Sequence, residues 1–206
     1  VYNLLGGRYR DKIPAYATGF YRVKGAQYPQ AAVEEALSYR EKGFTGMKLK
    51  VGFGVEEDLA YLRAVREAVG YEVKLMADFN CAYSMANARR LLYETEELHF
   101  TFLEELLPPE DLEGYAALRN LTGTQIAAGE NLFGKQNYRR WLEKGALDIY
   151  QPDLCSSGGF TECKKLQVLT QSYNTALIPH VWGSGVGLAA SLQFIATLVP
   201  TPLCLK

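Results

Sequence analysis

VKLMADFN, residues 73–80, is a short apolar run that closes on a carboxylate, Asp78, and then on a turn-forming amide, Asn80. A run of this length, bounded by polar residues, reads as a buried strand. Twenty-six residues later TFLEE (101–105) repeats the pattern with Glu104 in place of Asp78, and after another twenty-six AAGEN (127–131) repeats it with Glu130. Upstream, GMKLKV (46–51) is a further such run, carrying Lys48 and Lys50. Downstream, LDIYQPD (147–153) and TALIPH (175–180) end on Asp153 and His180.

Longer amphipathic segments separate these runs. Between Val55 and Val69 the apolar residues Leu59, Leu62, Val65 and Val69 recur at helical spacing. Helices are likewise expected over Ala31–Lys42, Ser84–Leu98 with Ser84 as N-cap, Leu112–Arg119, Gln136–Glu143, Phe160–Tyr173 and Leu188–Leu198. The strands are Pro14–Tyr21, Gly46–Val51, Val73–Ala77, Thr101–Leu103, Gln125–Ala128, Leu147–Tyr150 and Thr175–Ile178, and Leu203–Lys206 reads as the start of an eighth. A strand–helix unit repeating about every 25 residues is the βα unit of a parallel sheet. An open, doubly wound sheet would carry a Gly-rich nucleotide turn, and neither Gly52-Phe53-Gly54 nor Gly183–Gly187 has that spacing. The expected fold class is therefore α/β, a TIM-type (β/α)8 barrel. It is incomplete here, because 206 residues fall short of the roughly 250 such a barrel uses.

Composition narrows the function. The chain is 48% hydrophobic and 22% charged with net charge −1, which offers no electrostatic basis for binding nucleic acid or an anionic membrane. No charged residue lies between Val181 and Leu205, but the glycines and prolines of that stretch favour a loop, a buried helix and a strand start over a membrane span. The four cysteines, Cys81, Cys155, Cys163 and Cys204, form no C-x-x-C pair and are expected as free thiols in a reducing cytoplasm.

Three carboxylates at the ends of successive parallel strands converge on the face where barrel active sites sit. Any one could cap a helix or join a surface ion pair. Three in phase need a compensating positive charge, and Mg2+ suits hard oxygen ligands while keeping positions for substrate. Asp78, Glu104 and Glu130 are thus candidate metal ligands. Asp153 and His180, one strand apart, could form a pair in which the carboxylate fixes the imidazole tautomer. Lys48 and Lys50 share one face of their strand. They either carry outward stems that reach solvent or form an inward pair whose like-charge repulsion lowers an ammonium pKa and makes a base. A central cation flanked by a lysine and a histidine suits abstraction of a proton α to a carboxylate, with the metal stabilising the enediolate.

The motifs KLK (48–50), DFN (78–80), FLEE (102–105), AAGEN (127–131), QPD (151–153) and PHVWG (179–183) together resemble the enolase superfamily, specifically its mandelate racemase subgroup. A Lys or His base beside Mg2+ is that superfamily's general pattern. The resemblance implies metal ligation by Asp78, Glu104 and Glu130. It implies one base at Lys50 with Lys48 as neighbour, a second at His180 paired with Asp153, and substrate contact by Asn80. LLGGRYR, KVGFGVEEDL and QPDLCSSGGF look like sugar-acid members, which remove the proton next to a carboxylate and expel a β-leaving group. Leu106 departs from the proline often found there.

The expected activity is a Mg-dependent lyase or isomerase, a sugar-acid dehydratase or lactone cycloisomerase. The alternatives are a 2-hydroxy-acid racemase or epimerase, and a catalytically silent barrel fragment with a binding role. An amidohydrolase-type barrel would need more histidines than His99 and His180. The resemblance also implies a cytoplasmic homo-oligomer acting on a small carboxylate, with no nucleic-acid or membrane partner. Residues 1–12 are expected as a tail leading from an N-terminal α+β capping domain, and residues 13–206 as the barrel domain.

Overall fold

A computed structural model of the chain describes residues 1–22 and 27–199. Among them, seven strands alternate with seven α-helices. The order is β1 (Ala17–Thr18), α1 (Gln30–Glu41), β2 (Gly46–Lys50), α2 (Val55–Val69), β3 (Lys74–Asp78), α3 (Met85–Thr95), β4 (Phe102–Glu104) and α4 (Leu112–Arg119). It continues with β5 (Gln125–Ala128), α5 (Lys135–Lys144), β6 (Ile149–Tyr150), α6 (Gly159–Ser172), β7 (Ala176–Leu177) and α7 (Gly185–Ile195). The eighth strand expected at Leu203–Lys206 lies outside the described residues.

The chain forms two compact units, Ala15–Ile126 on one hand and Val1–Pro14 with Ala127–Lys206 on the other. In the first unit β1 to β4 pair in chain order, all parallel. The register aligns Lys50 with Asp78 and Asp78 with Glu104, so these three occupy one row at the strand ends. The strands are buried along most of their length, as parallel strands covered by helices are. Leu59, Leu62, Val65 and Val69 are all buried beneath α2, confirming the apolar stripe. Arg66 lies among them because its charge is spent on backbone. It donates to Leu98 O (2.9 Å), Gly70 O (2.8 Å) and Val73 O (2.8 Å), closing the C-terminal end of α2 onto the segments entering β3 and β4.

In the second unit Ala127–Ala128 pairs with β6 and β6 with β7, again parallel. An isolated parallel bridge joins Asp153 to His180 just beyond β6 and β7. The first residues pack onto α7 and the segment after it, with Tyr2 N donating to Gln193 Oε1 and Tyr9 N to Ala196 O.

Two local expectations are corrected. Ser84 stands at the N-cap of α3 but makes no capping hydrogen bond, and the helix gives way to a 3-10 turn at Glu96–Leu98. The first strand shrinks from eight residues to Ala17–Thr18, because only those two find ladder partners on β2. Among the described residues no helix is long and apolar enough to cross a membrane. Cys81, Cys155 and Cys163 are free thiols.

Candidate active site

In the unit spanning residues 15–126, the strand-end row is an alternating charge array. Asp78 and Glu104 are fully buried, and Lys48 is only 5% exposed. Lys48 Nζ donates to Glu104 Oε1 at 2.6 Å and stands 3.5 Å from Asp78 Oδ2. Lys50 Nζ donates to Asp78 Oδ2 at 2.5 Å and to Asn80 Oδ1 at 3.0 Å. Asp78 Oδ1 also accepts from the Asn80 N–H at 3.0 Å. Buried carboxylates survive only when paired and hydrogen-bonded, and here the lysines supply the pairing. Both lysine side chains therefore point to the carboxylate side of the strand, which excludes the outward, solvent-reaching alternative.

Like-charge repulsion within the lysine pair does not decide the state of Lys48. Burial does pull the Lys48 ammonium down. The negative charge of Glu104, with smaller contributions from Tyr16 and Asp78, outweighs it and holds the group above the ordinary lysine range. Each lysine has its own carboxylate partner, Glu104 for Lys48 and Asp78 for Lys50. Burial alone would raise the Asp78 carboxyl. The charges of Lys48 and Lys50 and the Asn80 N–H reverse that and hold it below the usual carboxylate range. Lys48 is thus a counter-ion, and Lys50, which also reaches Asn80, is the better placed for chemistry.

In the other unit, His180 Nδ1 lies 2.7 Å from Asp153 Oδ2. Asp153 Oδ1 is itself held by the N–H groups of Cys155 (2.7 Å) and Ser156 (3.3 Å). The opposite ring nitrogen, Nε2, faces Glu130 Oε2 at 3.2 Å. Glu130 Oε2 is buried and takes part in no hydrogen bond. A neutral imidazole giving its Nδ1–H to Asp153 carries its lone pair on the opposite ring nitrogen, Nε2. Among the described residues no group of three or more His, Cys, Asp or Glu side chains is gathered closely enough to hold a metal. Within the unit spanning residues 15–126 the donor chemistry fits a hard cation all the same, since Asp78 and Glu104 are carboxylates already held by ammonium groups; in the other unit Glu130 has a buried oxygen that takes part in no hydrogen bond.

Three residues escaped the sequence reading. Glu105 is buried beside Glu104 with φ 49°, and its carbonyl accepts from Cys81 N at 2.6 Å. Asp58 and Tyr83 are buried and hydrogen-bonded to each other at 2.5 Å. The available signal was the position of Asp58 four residues before Leu62, on the apolar stripe of α2.

Parallel βα units with acids, lysines and a His–Asp pair at the strand ends define a barrel-type α/β enzyme fold. The family model described as "Enolase C-terminal domain-like" matches residues 31–204, and the chain belongs to that family. It is 40% identical over 200 residues to a D-galactarolactone cycloisomerase of Agrobacterium fabrum, covering 97% of this chain and 53% of that protein. It is 35% identical to a D-galactonate dehydratase of Variovorax paradoxus, covering 94% of this chain and 52% of that protein. The crystal structure of the 3,6-anhydro-D-galactonate cycloisomerase from Zobellia galactanivorans superposes with a TM-score of 0.90 at 41% identity, over 96% of this chain and 54% of that one. The chain spans about half the length of the curated relatives it matches. The fold class is accordingly α/β, part of a (β/α)8 barrel, and the enolase-superfamily resemblance is borne out.

Proposed function

We propose that this chain carries the catalytic barrel of a Mg2+-dependent enzyme that removes the proton α to the carboxylate of a sugar acid or its lactone and eliminates a β-leaving group. The row Lys50–Asp78–Glu104, aligned in register at three strand ends, carries the reading. It sets the Lys50 amine directly against the buried Asp78, while Lys48 pairs with the buried Glu104. The relatives' names, a cycloisomerase and a dehydratase of sugar-acid substrates, support elimination over racemisation.

Asp78 and Glu104 would hold the cation, with Glu130 as third ligand by its strand-end position. When bound, Mg2+ would hold the substrate carboxylate and neutralise the charge that develops on it. The remaining steps belong to the protein. Lys50, as the free amine, accepts the α-proton, and the C–H electron pair forms the double bond toward the β-carbon. The β-oxygen leaves with the C–O electrons and takes a proton from Nε2 of His180, which enters this step as the imidazolium and leaves it as the neutral Nδ1–H tautomer, giving water from a hydroxyl or an opened ring from a lactone. Asp153 holds the His180 tautomer with Nδ1–H directed away from the reacting atoms. Asn80, whose Oδ1 accepts from Lys50, orients the ammonium and presents its amide toward substrate.

The test is NMR of the complete natural protein with Mg2+ in D2O, against a panel of sugar acids and their lactones. Elimination product is expected from at least one of them. Lys50→Met should lower α-proton exchange to a small residual rate, while His180→Asn should lose chiefly the elimination. Exchange with inversion and no elimination would make the enzyme a racemase. Full activity in either variant, folded and metal-bound, would overturn the assignment of these two groups.

A further inference from the structure

Asp58 is a carboxylate with no exposed surface, in the first turn of α2, and it takes no part in the mechanism above. Its Oδ2 accepts from Gly52 N (2.7 Å) and Tyr83 Oη (2.5 Å), and its Oδ1 accepts from Phe53 N (3.2 Å). Gly54 N donates to Tyr83 Oη at 3.0 Å. One carboxylate and one phenol thus bind three successive amides, beginning two residues after Lys50.

Tyr83 belongs to the loop that follows β3, three residues beyond Asn80. That loop is fixed in turn on the next strand end, with Cys81 N donating to Glu105 O and Tyr83 N to Leu106 O at 3.1 Å. The loops after β2 and β3 also touch directly. A Cβ on Gly52 would stand 2.8 Å from Phe79 O and 2.9 Å from Ala82 Cβ, and Gly52 has φ +105°. Both acceptors of Lys50 Nζ, Asp78 and Asn80, lie on the β3 side of this seam. The position of the Lys50 amine against Asn80 therefore depends on how the β2 loop is clamped to the β3 loop.

We propose that Asp58 and Tyr83 are positioning residues for Lys50, forming the clamp that sets its amine against Asn80; this rests on the reading of Lys50 as a proton-transfer group. Gly54, the N-cap of α2, has no side chain with which to cap the helix from the surface. A buried carboxylate is the costlier device, and it also reaches the neighbouring loop through Tyr83.

The experiment uses Tyr83→Phe and Asp58→Asn, each alone and combined with Lys50→Met, in the complete natural protein. D-galactonate and D-galactarolactone serve as probes of α-proton exchange in D2O. Tyr83→Phe should lower the exchange rate roughly 10- to 100-fold with little change in KM, as a misplacement of a reacting group does. In the Lys50→Met background it should cause no further loss. A substrate-free readout accompanies this: the Nζ NMR signal of Lys50, assigned by its absence in Lys50→Met, should shift in Tyr83→Phe while that of Lys164 stays in place. Equal losses in both backgrounds, or an unmoved Lys50 signal, would overturn the positioning role. Full exchange in Lys50→Met alone would instead overturn the base assignment, and the clamp's catalytic meaning with it.

Discussion

Asp153 Oδ2 meets His180 Nδ1 at 2.7 Å, across a single parallel bridge formed just past the ends of two neighbouring strands. Two amides hold the other oxygen of Asp153, so the carboxylate cannot turn away and the imidazole has one orientation. Its Nε2 then lies 3.2 Å from Glu130 Oε2.

Asp153→Asn removes the acceptor that keeps the Nδ1–H tautomer. Turnover of the complete natural protein should fall by roughly 10²- to 10⁴-fold, close to the loss in His180→Asn. Steady-state kinetics on folded variants checks this. An Asp153→Asn enzyme that keeps full kcat would show that the pair has no catalytic part.

Glu104→Gln should act twice. It removes a charged ligand and so weakens Mg2+ binding in calorimetry. It also strips the buried Lys48 of its closest counter-charge, which costs about 3–5 kcal/mol of stability by urea denaturation. Adding Lys48→Met should restore much of the stability but not the Mg2+ affinity. Restoration of both would remove Glu104 from the ligand set.

Asp58 gives stability a pH dependence of known sign. Burial holds its carboxyl above the ordinary range, and the Tyr83 hydroxyl and the Gly52 and Phe53 amides offset only part of that. The folded chain then binds this proton more tightly than the unfolded one. The resulting stability is complete below the unfolded value, about pH 4, and is lost as pH rises through the folded value. The stability of the unaltered chain relative to Asp58→Asn, from urea curves over a pH series, should therefore shrink as pH rises. A constant difference would contradict the shift.

Cysteine labelling separates two thiols of one unit. Burial, aided by the nearby negative charges of Asp153 and Glu162, pushes the Cys163 thiol up to about 12. Cys155 is exposed. Iodoacetamide at neutral pH should alkylate Cys155 and spare Cys163 until the chain is unfolded, as read by peptide mass spectrometry. Rapid modification of native Cys163 would mean that the α6 face opens.

The strand-end acids were legible in the sequence because parallel strands repeat with a near-constant period and end in register, so equal spacing along the chain became one row through Lys50, Asp78 and Glu104. The α2 helix was legible too, its bounds Val55–Val69 matching the run of apolar residues at helical spacing. Strand ends were less so: an apolar run says that a segment is buried, while the ladder stops where the neighbour's backbone leaves, as at Ala17–Thr18. What only the tertiary structure decided was the state of each charge. Lys48 was read only as the like-charged neighbour of Lys50 in sequence. In the fold its governing neighbour is Glu104, fifty-six positions away, and at 2.6 Å in a buried setting that attraction dominates. The same holds for Asp58, an ordinary first-turn acid in the sequence. Its burial and its bond to Tyr83 exist only because the loops after β2 and β3 come together, and side-chain spacing along one segment carries no information about a contact made between two.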